Sequence, residues 1–319
     1  MSRLCIALCA LIAIALPFSL LMGRVWIAPW AEPVPHAATI LMELRLPRGI
    51  LALIVGAGLG GAGAAMQGYL RNPLADPGLF GIAPAAAFGA VMALFLGLAA
   101  IPFALPAFAL VGAGGAMALL ALIAGRTGGI ALFTLAGLMI ASLAGTLTSL
   151  AISLSPNPFA TSEIVTWLMG ALTDRSWSDV WIAAPLTLLG LAVLRRTGPA
   201  LDALTLGEQA ALSLGVEAKR LQWWIVFGIG LVVGAGVAVA GIIGFVGLMV
   251  PHIVRPFTDR RPSHLVLPSA LAGALLVLVA DTVCRVLPLA SELRLGIALS
   301  LLGAPFFLAL LLRLRKDLT

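Results

Sequence analysis

Long apolar runs, with charged residues only near their ends, are the feature that most constrains this chain. Each run is close to the roughly 20 residues that a helix needs to cross the hydrocarbon core of a bilayer. Hydrophobic residues make up 61% of the 319 positions and charged residues 10%, against about 25% charged in soluble proteins. The sequence therefore predicts an all-α, polytopic membrane protein that forms one transmembrane domain over residues 1–319, with no room for a soluble domain.

The apolar runs predict about ten membrane-spanning helices. The predicted spans are 1–23, one that starts near Pro47, 79–98, 107–125, 130–153, 181–194, 222–240, 241–257, 264–286 and 296–312. The first run has no clear cleavage site, so a span is favoured there over a signal peptide. A short interfacial helix is predicted over residues 161–172, because prolines and polar groups interrupt this part of the chain.

Basic residues distribute unevenly between the two sides of this topology. Thirteen of the 19 lysines and arginines fall on the side that holds both termini, and six fall on the other. Since basic loops stay in the cytoplasm, both termini are predicted to be cytoplasmic. The net charge of +6 is accordingly a topology signal and does not indicate nucleic-acid binding.

Two glycine-rich runs, VGAGLGGAGAAMQG from Val55 and VVGAGVAVAGIIG from Val232, lie in the second and seventh spans. Small residues let membrane helices approach closely, so the second span is predicted to be central in the bundle. The two runs resemble each other weakly. With five spans in each half, they indicate an inverted repeat.

No catalytic chemistry is visible in the sequence. It has no HExxH zinc motif, no GxSxG nucleophile elbow and no Walker phosphate loop, and its only lysines are Lys219 and Lys316. Cys5, Cys9 and Cys284 are isolated, so neither a disulfide nor a metal site is predicted. If ATP drives this protein, another polypeptide must bind it.

Polar groups inside the predicted spans are few. Asp281 is the clearest candidate for ion coupling, but Arg285 one helical turn later makes a local ion pair the favoured interpretation. The fifth span carries Ser142, Thr146, Thr148, Ser149 and Ser153 on one side. Such a face either bonds a neighbouring helix, which is the favoured alternative, or lines a path.

A polar segment of small residues, 197–221, separates the sixth and seventh spans and has the composition of a docking loop. Together with four other motifs it carries a family resemblance. The motifs are RLPR (45–48), QGYLRNPLADPGLFGI (67–82), LGEQAALSLGV (206–216), GFVGLMVPHIVR (244–255) and LGAPFFLALLLR (302–313). In this order and spacing they resemble the FecCD family, the permease subunits of bacterial ABC importers for ferric siderophores, haem and cobalamin.

The resemblance implies a homodimer in the bacterial inner membrane, with a translocation path at its axis. It also implies two ATP-binding cassette subunits at the cytoplasmic loop and a periplasmic substrate-binding protein outside. ATP and magnesium would bind the cassette subunits, and this chain would hold no cofactor. By similarity, the predicted ATPase-coupling residues are Glu208, Ala211, Leu214, Gly215, His252 and Arg255.

Outside, the resemblance assigns arginines that receive carboxylates of the binding protein, and Arg45, Arg48 and Arg285 occupy the matching positions. The predicted path residues are Thr146, Ser149, Ser153, Trp167, Met169 and Ser300. The sequence ranks a ferric siderophore first as substrate, cobalamin second and haem third, because no constellation of His, Tyr and Met suggests haem handling. An ion-coupled secondary carrier is the alternative class.

Overall fold

The computed structural model describes residues 3–27, 35–124 and 130–316, and within these ranges helices joined by turns and loops are the only regular secondary structure. Arg126, used in the count of basic residues, lies outside them. The helices are α1 (Arg3–Leu21), α2 (Ala37–Leu70), α3 (Ile82–Phe95), α4 (Ala104–Ala124), α5 (Ile130–Ser153), α6 (Pro158–Leu168), α7 (Trp177–Arg196), α8 (Gly198–Leu204), α9 (Glu208–Ser213), α10 (Ala218–Ala240), α11 (Val246–Val254), α12 (Pro262–Val286) and α13 (Leu295–Lys316).

Eight of these helices are long and apolar enough to cross a membrane. The other two predicted spans correspond to α3, with 14 residues, and α11, with nine. Helix α11 is short because the backbone before it is not helical, with left-handed conformations at Gly241 and Phe245. The all-α fold with about ten membrane helices is thus confirmed, although two of them are shorter than a full span.

Helices α2 and α10 form the centre of the bundle, as the glycine-rich run of the second span predicts. About three quarters of each is buried, 72% of α2 and 78% of α10 over their most apolar stretch. At the closest crossing, Gly56 of α2 faces Gly273 of α12, and a methyl group on either glycine would overlap the backbone of the other. Only glycine permits helices to pack this tightly.

The packing of the two central helices supports the inverted repeat. Helix α2, the second span, packs most extensively on α12, the ninth. Helix α10, the seventh span, packs on α4, the fourth, where Gly234 meets Ala113. Each central helix therefore contacts the fourth span of the opposite half, as an inverted repeat predicts. Helix α10 packs more extensively still on α7, however, so the repeat stays a prediction.

The two ends of the bundle differ in structure. Helices α8 and α9 lie at one end, which we call the α9 end, and α6 lies at the other, the α6 end. Helix α6 begins three residues before the predicted interfacial helix, because Pro158 takes the first helical position and Asn157 caps it by accepting from the Ala160 amide at 2.9 Å. The polar residues of the candidate site lie mainly at these two ends.

Candidate functional site

The α9 end presents the predicted coupling segment as a short helix between two glycines. Gly207 and Gly215 both have left-handed backbones, with φ of 105° and 84°, and they bracket α9. The Val216 amide donates to the Ala211 carbonyl at 2.9 Å, which satisfies the helix end. Gly215 thus ends α9, and its predicted coupling role stays a prediction.

The exposed face of α9 differs from the predicted one. Ala211 is only 2% exposed and packs inside the chain, so its side chain is not part of the exposed surface of α9, and its coupling role stays a prediction. Glu208 is exposed, as are three leucines that the sequence analysis did not single out as a group. We call Leu206, Leu212 and Leu214, each more than half exposed, the leucine patch. Apolar side chains beside charged ones at the end of a bundle are typical of a docking surface.

Polar contacts connect this end to the core of the bundle. Glu208 lies 3.6 Å from Arg71 at the end of α2. One turn back on α2, the buried Gln67 accepts from Arg255 at 2.8 Å and donates to the Leu248 carbonyl of α11 at 3.2 Å. The end of α2 thus contacts both α9 and α11.

His252 and Arg255 both contact side chains of other helices in the bundle. The ring of His252 meets Phe306 of α13 edge to face, with centroids 5.8 Å apart. Arg255 is held by Gln67, a residue that the sequence analysis did not select. The structure therefore places these two predicted coupling residues between α11 and its neighbours, one layer behind the leucine patch. Their coupling role stays a prediction.

A buried cluster of charges occupies the α6 end. Arg48 binds Asp281 through Nε and Nη2 at 2.9 to 3.0 Å and also reaches Glu292 at 2.9 Å. Arg285 lies 3.2 Å from Asp281, as its position one turn later predicted. We call Arg48, Asp281, Arg285 and Glu292 the arginine–carboxylate cluster. It joins α2 and α12 to the loop before α13.

The three arginines predicted to meet a binding protein are all engaged within the chain. Arg45 donates to the carbonyls of Leu20, Leu21 and Val25, at 2.6 to 3.0 Å. Arg48 and Arg285 belong to the arginine–carboxylate cluster, and Arg285 also donates to Ser19 of α1. All three side chains are largely buried. Their predicted docking role is untested, and it would require these internal contacts to open.

The predicted path residues fall into two groups. Thr146, Ser149 and Ser153 lie on an exposed face of α5, whereas Trp167 is half-buried against α3 and α5. Ser300 of α13 is also half-buried, and Met169 is partly exposed after α6. The structure does not bring all six together within one chain.

The hydroxyl groups of α5 bond their own helix. Thr146, Thr148 and Ser149 each donate to the carbonyl four residues earlier, at 2.8 to 3.0 Å. These three hydroxyls therefore donate to their own helix and not to another helix of the described chain, and the choice between bonding a neighbouring helix and lining a path stays open. No helix in the described part of the chain covers the exposed face that includes Thr146 and Ser149.

A small cavity of about 120 Å³ lies between α2 and α10, next to the irregular segment before α11. Its lining is mainly apolar, with Asp76 the one carboxylate. Asp76 caps the turn at residues 77–80 by accepting from the Gly78 amide at 2.7 Å. Among the described residues, no group of three or more His, Cys, Asp or Glu side chains could hold a metal ion.

Comparison with known proteins places these features in a family. The model of the FecCD transport family matches residues 4–313. The chain is 36% identical to the Fe(3+) dicitrate permease FecD of Escherichia coli K12, over 98% of this chain and 97% of that protein. It is 35% identical to the vitamin B12 permease BtuC of Serratia proteamaculans, over 96% of this chain and 91% of that one.

Structure comparison agrees with the sequence matches. A solved inward-facing structure of an ABC transporter assigned to the metal-chelate type superposes on this chain with a TM-score of 0.91. The match covers 98% of this chain and all of that one, at 31% identity. With a family match along nearly its whole length, this chain belongs to the FecCD transport family.

Proposed function

We propose that this chain is the permease subunit of an ABC importer that moves an iron chelate of the ferric siderophore class from periplasm to cytoplasm. Two copies would form the transmembrane part in the inner membrane, with both termini in the cytoplasm. A separate ATPase would bind at the α9 end and a substrate-binding protein at the α6 end. This chain would supply the path and the coupling contacts but no ATP site.

The main support for this proposal is the structure of the α9 end. A leucine patch surrounds a helix of six residues whose carboxylate, Glu208, is in contact with Arg71 of the central helix α2. Such a helix presents little surface of its own, so its exposed leucines suit a groove on a partner. Because α2 packs against α12 through backbone contacts at Gly56, a shift of α2 would move α12 as well.

The alternative class, an ion-coupled carrier, finds little support at the residue that suggested it. Asp281 is 1% exposed and is bound by two arginines, Arg48 and Arg285. Because both of its charged neighbours are arginines of the same chain, this carboxylate is already occupied by internal contacts and is not free to bind a passing ion. This arrangement favours a structural role for Asp281. It also favours transport that is driven by a separate ATPase subunit over transport driven by an ion gradient.

The uncovered face of α5 supports a second copy as partner. Small residues and hydroxyls at exposed positions let another membrane helix approach, or they line a water-filled path between two copies. The hydroxyls already bond their own backbone, so they would not hold a passing cargo tightly. A bulky chelate that must be released is suited to such a surface.

The substrate ranking draws on the relatives. One relative is named for Fe(3+) dicitrate, another for vitamin B12, and the superposed structure for metal chelates. We rank an iron chelate first, cobalamin second and haem third. No metal ligand on this chain is required, because the metal would arrive already bound to its carrier.

Reconstitution tests the proposal. Proteoliposomes that contain this chain with its candidate ATPase and a loaded binding protein are supplied with a panel of ferric siderophores, cobalamin and haem. We expect ATP-dependent uptake of one iron chelate and stimulation of ATP hydrolysis by the loaded binding protein. Uptake driven by an ion gradient without the ATPase would overturn the proposal. Uptake of cobalamin alone would change the substrate and keep the class.

A further inference from the structure

A groove between α7 and α10 at the α9 end has an apolar part and a charged part. Val193, Leu221 and Trp224 line its apolar part, and Arg196, Glu217 and Arg220 line its charged part. At its edge the groove meets the leucine patch, since Leu214 also lines it. Its volume is about 640 Å³, within the roughly 300–1,000 Å³ of small-molecule sites. We refer to it as the α7–α10 groove.

The order of these residues along their helices indicates a membrane interface. Arg196 is the last residue of α7, and Arg220 lies in the first turn of α10. Val193 and Trp224 lie about one turn further into the same two helices, both of which are long enough to cross a membrane. The charged part therefore lies at the level of the lipid headgroups and the apolar part at the level of the acyl chains.

The arginines of the groove have no internal partner among the described residues. No carboxylate there lies within ion-pair distance of Arg196 or Arg220. At the α6 end, by contrast, Arg48 and Arg285 are held by carboxylates of the chain itself. Arg196 and Arg220 thus differ from these two arginines in facing a groove without a carboxylate of the described chain to pair with.

We propose that the α7–α10 groove binds the phosphate group of an anionic phospholipid from the leaflet at the α9 end. Guanidinium groups donate to phosphate oxygens in a fork, and basic pockets between membrane helices recognise lipid headgroups. The apolar part takes the first segment of an acyl chain, which a free anion lacks. Glu217 opposes the negative charge and limits the affinity. This site does not depend on what the protein transports.

Native mass spectrometry of the purified full-length chain tests the proposal. The chain is titrated with phosphatidylglycerol or phosphatidylcholine of identical acyl chains. We expect preferential retention of phosphatidylglycerol, and Arg196→Gln or Arg220→Gln each to weaken it about fivefold. Two adjacent residues provide matched controls: Arg195, which lines a different cavity, and Lys219, which does not line the groove. Arg195→Gln and Lys219→Gln should retain the lipid like the parent chain.

A gain of affinity provides a test that does not depend on loss of function. Glu217→Gln removes the opposing charge and should strengthen phosphatidylglycerol retention, with phosphatidylcholine unchanged. Equal retention of the two lipids by the parent chain, or equal losses in the control variants, would overturn the proposal. So would displacement of the lipid by inorganic phosphate. If Arg196→Gln and Arg220→Gln release the ATPase subunit but not the lipid, the groove belongs to that subunit and the lipid assignment is wrong.

Discussion

Arg48 and Asp281, which are 233 positions apart in the chain, form a two-point ion pair at 2.9 to 3.0 Å inside the α6 end. The pair joins the central helix α2 to α12, next to the crossing at which Gly56 meets Gly273. A residue that the family resemblance assigns to a binding protein is therefore also part of the internal framework. Charge reversal at Arg48 would disturb folding and docking together, so variants at this position cannot by themselves identify a docking role.

Asp281→Asn should destabilise the chain strongly. The substitution leaves Arg48 and Arg285 largely buried with one counter-charge fewer, and breaking a buried pair from one side costs about 3 to 5 kcal/mol. We expect a large drop in the melting temperature of the detergent-solubilised chain. The exposed Glu163 of α6 provides a control, since Glu163→Gln removes an acid that has no ion pair in the described part of the chain. Similar melting of the two variants would contradict a stabilising role for the cluster.

Glu292→Gln should show a stability loss that depends on pH. Burial raises the pKa of Glu292. The hydrogen bond and positive charge of Arg48, together with Thr173 and Arg285, lower it by more than burial raises it, so the pKa lies below its ordinary value. A carboxylate of this kind stabilises the folded chain above an unfolded-state pKa of about 4.3 and loses this contribution as pH falls through the folded value.

The expected difference between the parent chain and Glu292→Gln is about 1 kcal/mol at pH 7, and it declines below about pH 4.3 as the pH falls through the folded-state pKa. Melting temperatures measured across this range check it. Thr173→Val is the matched control, because it removes a 3.3 Å hydrogen bond to Glu292 without removing a charge. Its effect should be smaller and nearly independent of pH over the neutral range. A constant difference for Glu292→Gln down to pH 3 would show that the residue acts by packing alone.

Leu214→Ser and Ala211→Leu should separate docking from folding at the α9 end. Leu214 is exposed, so serine should leave the melting temperature nearly unchanged while weakening co-purification with the ATPase subunit and the ATPase stimulation. Ala211 is buried, so leucine should overpack the site at a cost of about 1 to 3 kcal/mol. If Leu214→Ser retained full ATPase binding, the leucine patch would not be the docking surface.

Gly56→Ala tests whether close backbone approach organises the bundle. The added methyl overlaps the Gly273 carbonyl, so α2 and α12 must separate, and we expect a loss of about 3 kcal/mol. Gly115 of α4 is the control, because a Cβ there meets nothing within 4 Å. Gly115→Ala should be neutral or stabilise by up to about 1 kcal/mol. Equal folded yields of the two variants in detergent would remove the steric argument.

The sequence was informative wherever one stretch of chain determined the outcome. Small residues at nearly every position of α2 allow few environments other than a tight bundle, and Arg285 one turn after Asp281 predicted a pair that the structure contains. Contacts between distant segments left no such signal. The sequence could not predict that Glu292 binds Arg48 or that Gln67 binds Arg255. These residues come together only in the folded chain, and no local pattern indicates such a pair.

Some predicted helix boundaries were wrong for a related reason. The apolar run over residues 241–257 has the composition of a helix, yet left-handed backbone at Gly241 and Phe245 delays α11 to Val246. Gly241 lies against the carbonyl of Trp167, so this irregular backbone depends on tertiary packing. At the α9 end, the composition of α9 predicted a short exposed helix, but only the fold decides that Ala211 faces inward and Leu212 outward.

The exposed face of α5 gives the last prediction, which concerns transport itself. Thr146→Trp and Ser149→Trp add bulk to positions that no helix of the same chain covers, so folding and melting temperature should change little. If this face lines the path between two copies, uptake in proteoliposomes should fall at least about fivefold, equivalent to about 1 kcal/mol in the transport barrier. Ile14→Trp on α1 is the control, since Ile14 is 68% exposed on a helix that packs mainly on α12. A loss of dimers in gel filtration would instead assign the face to subunit contact, and unchanged uptake with intact dimers would exclude Thr146 and Ser149 from the path.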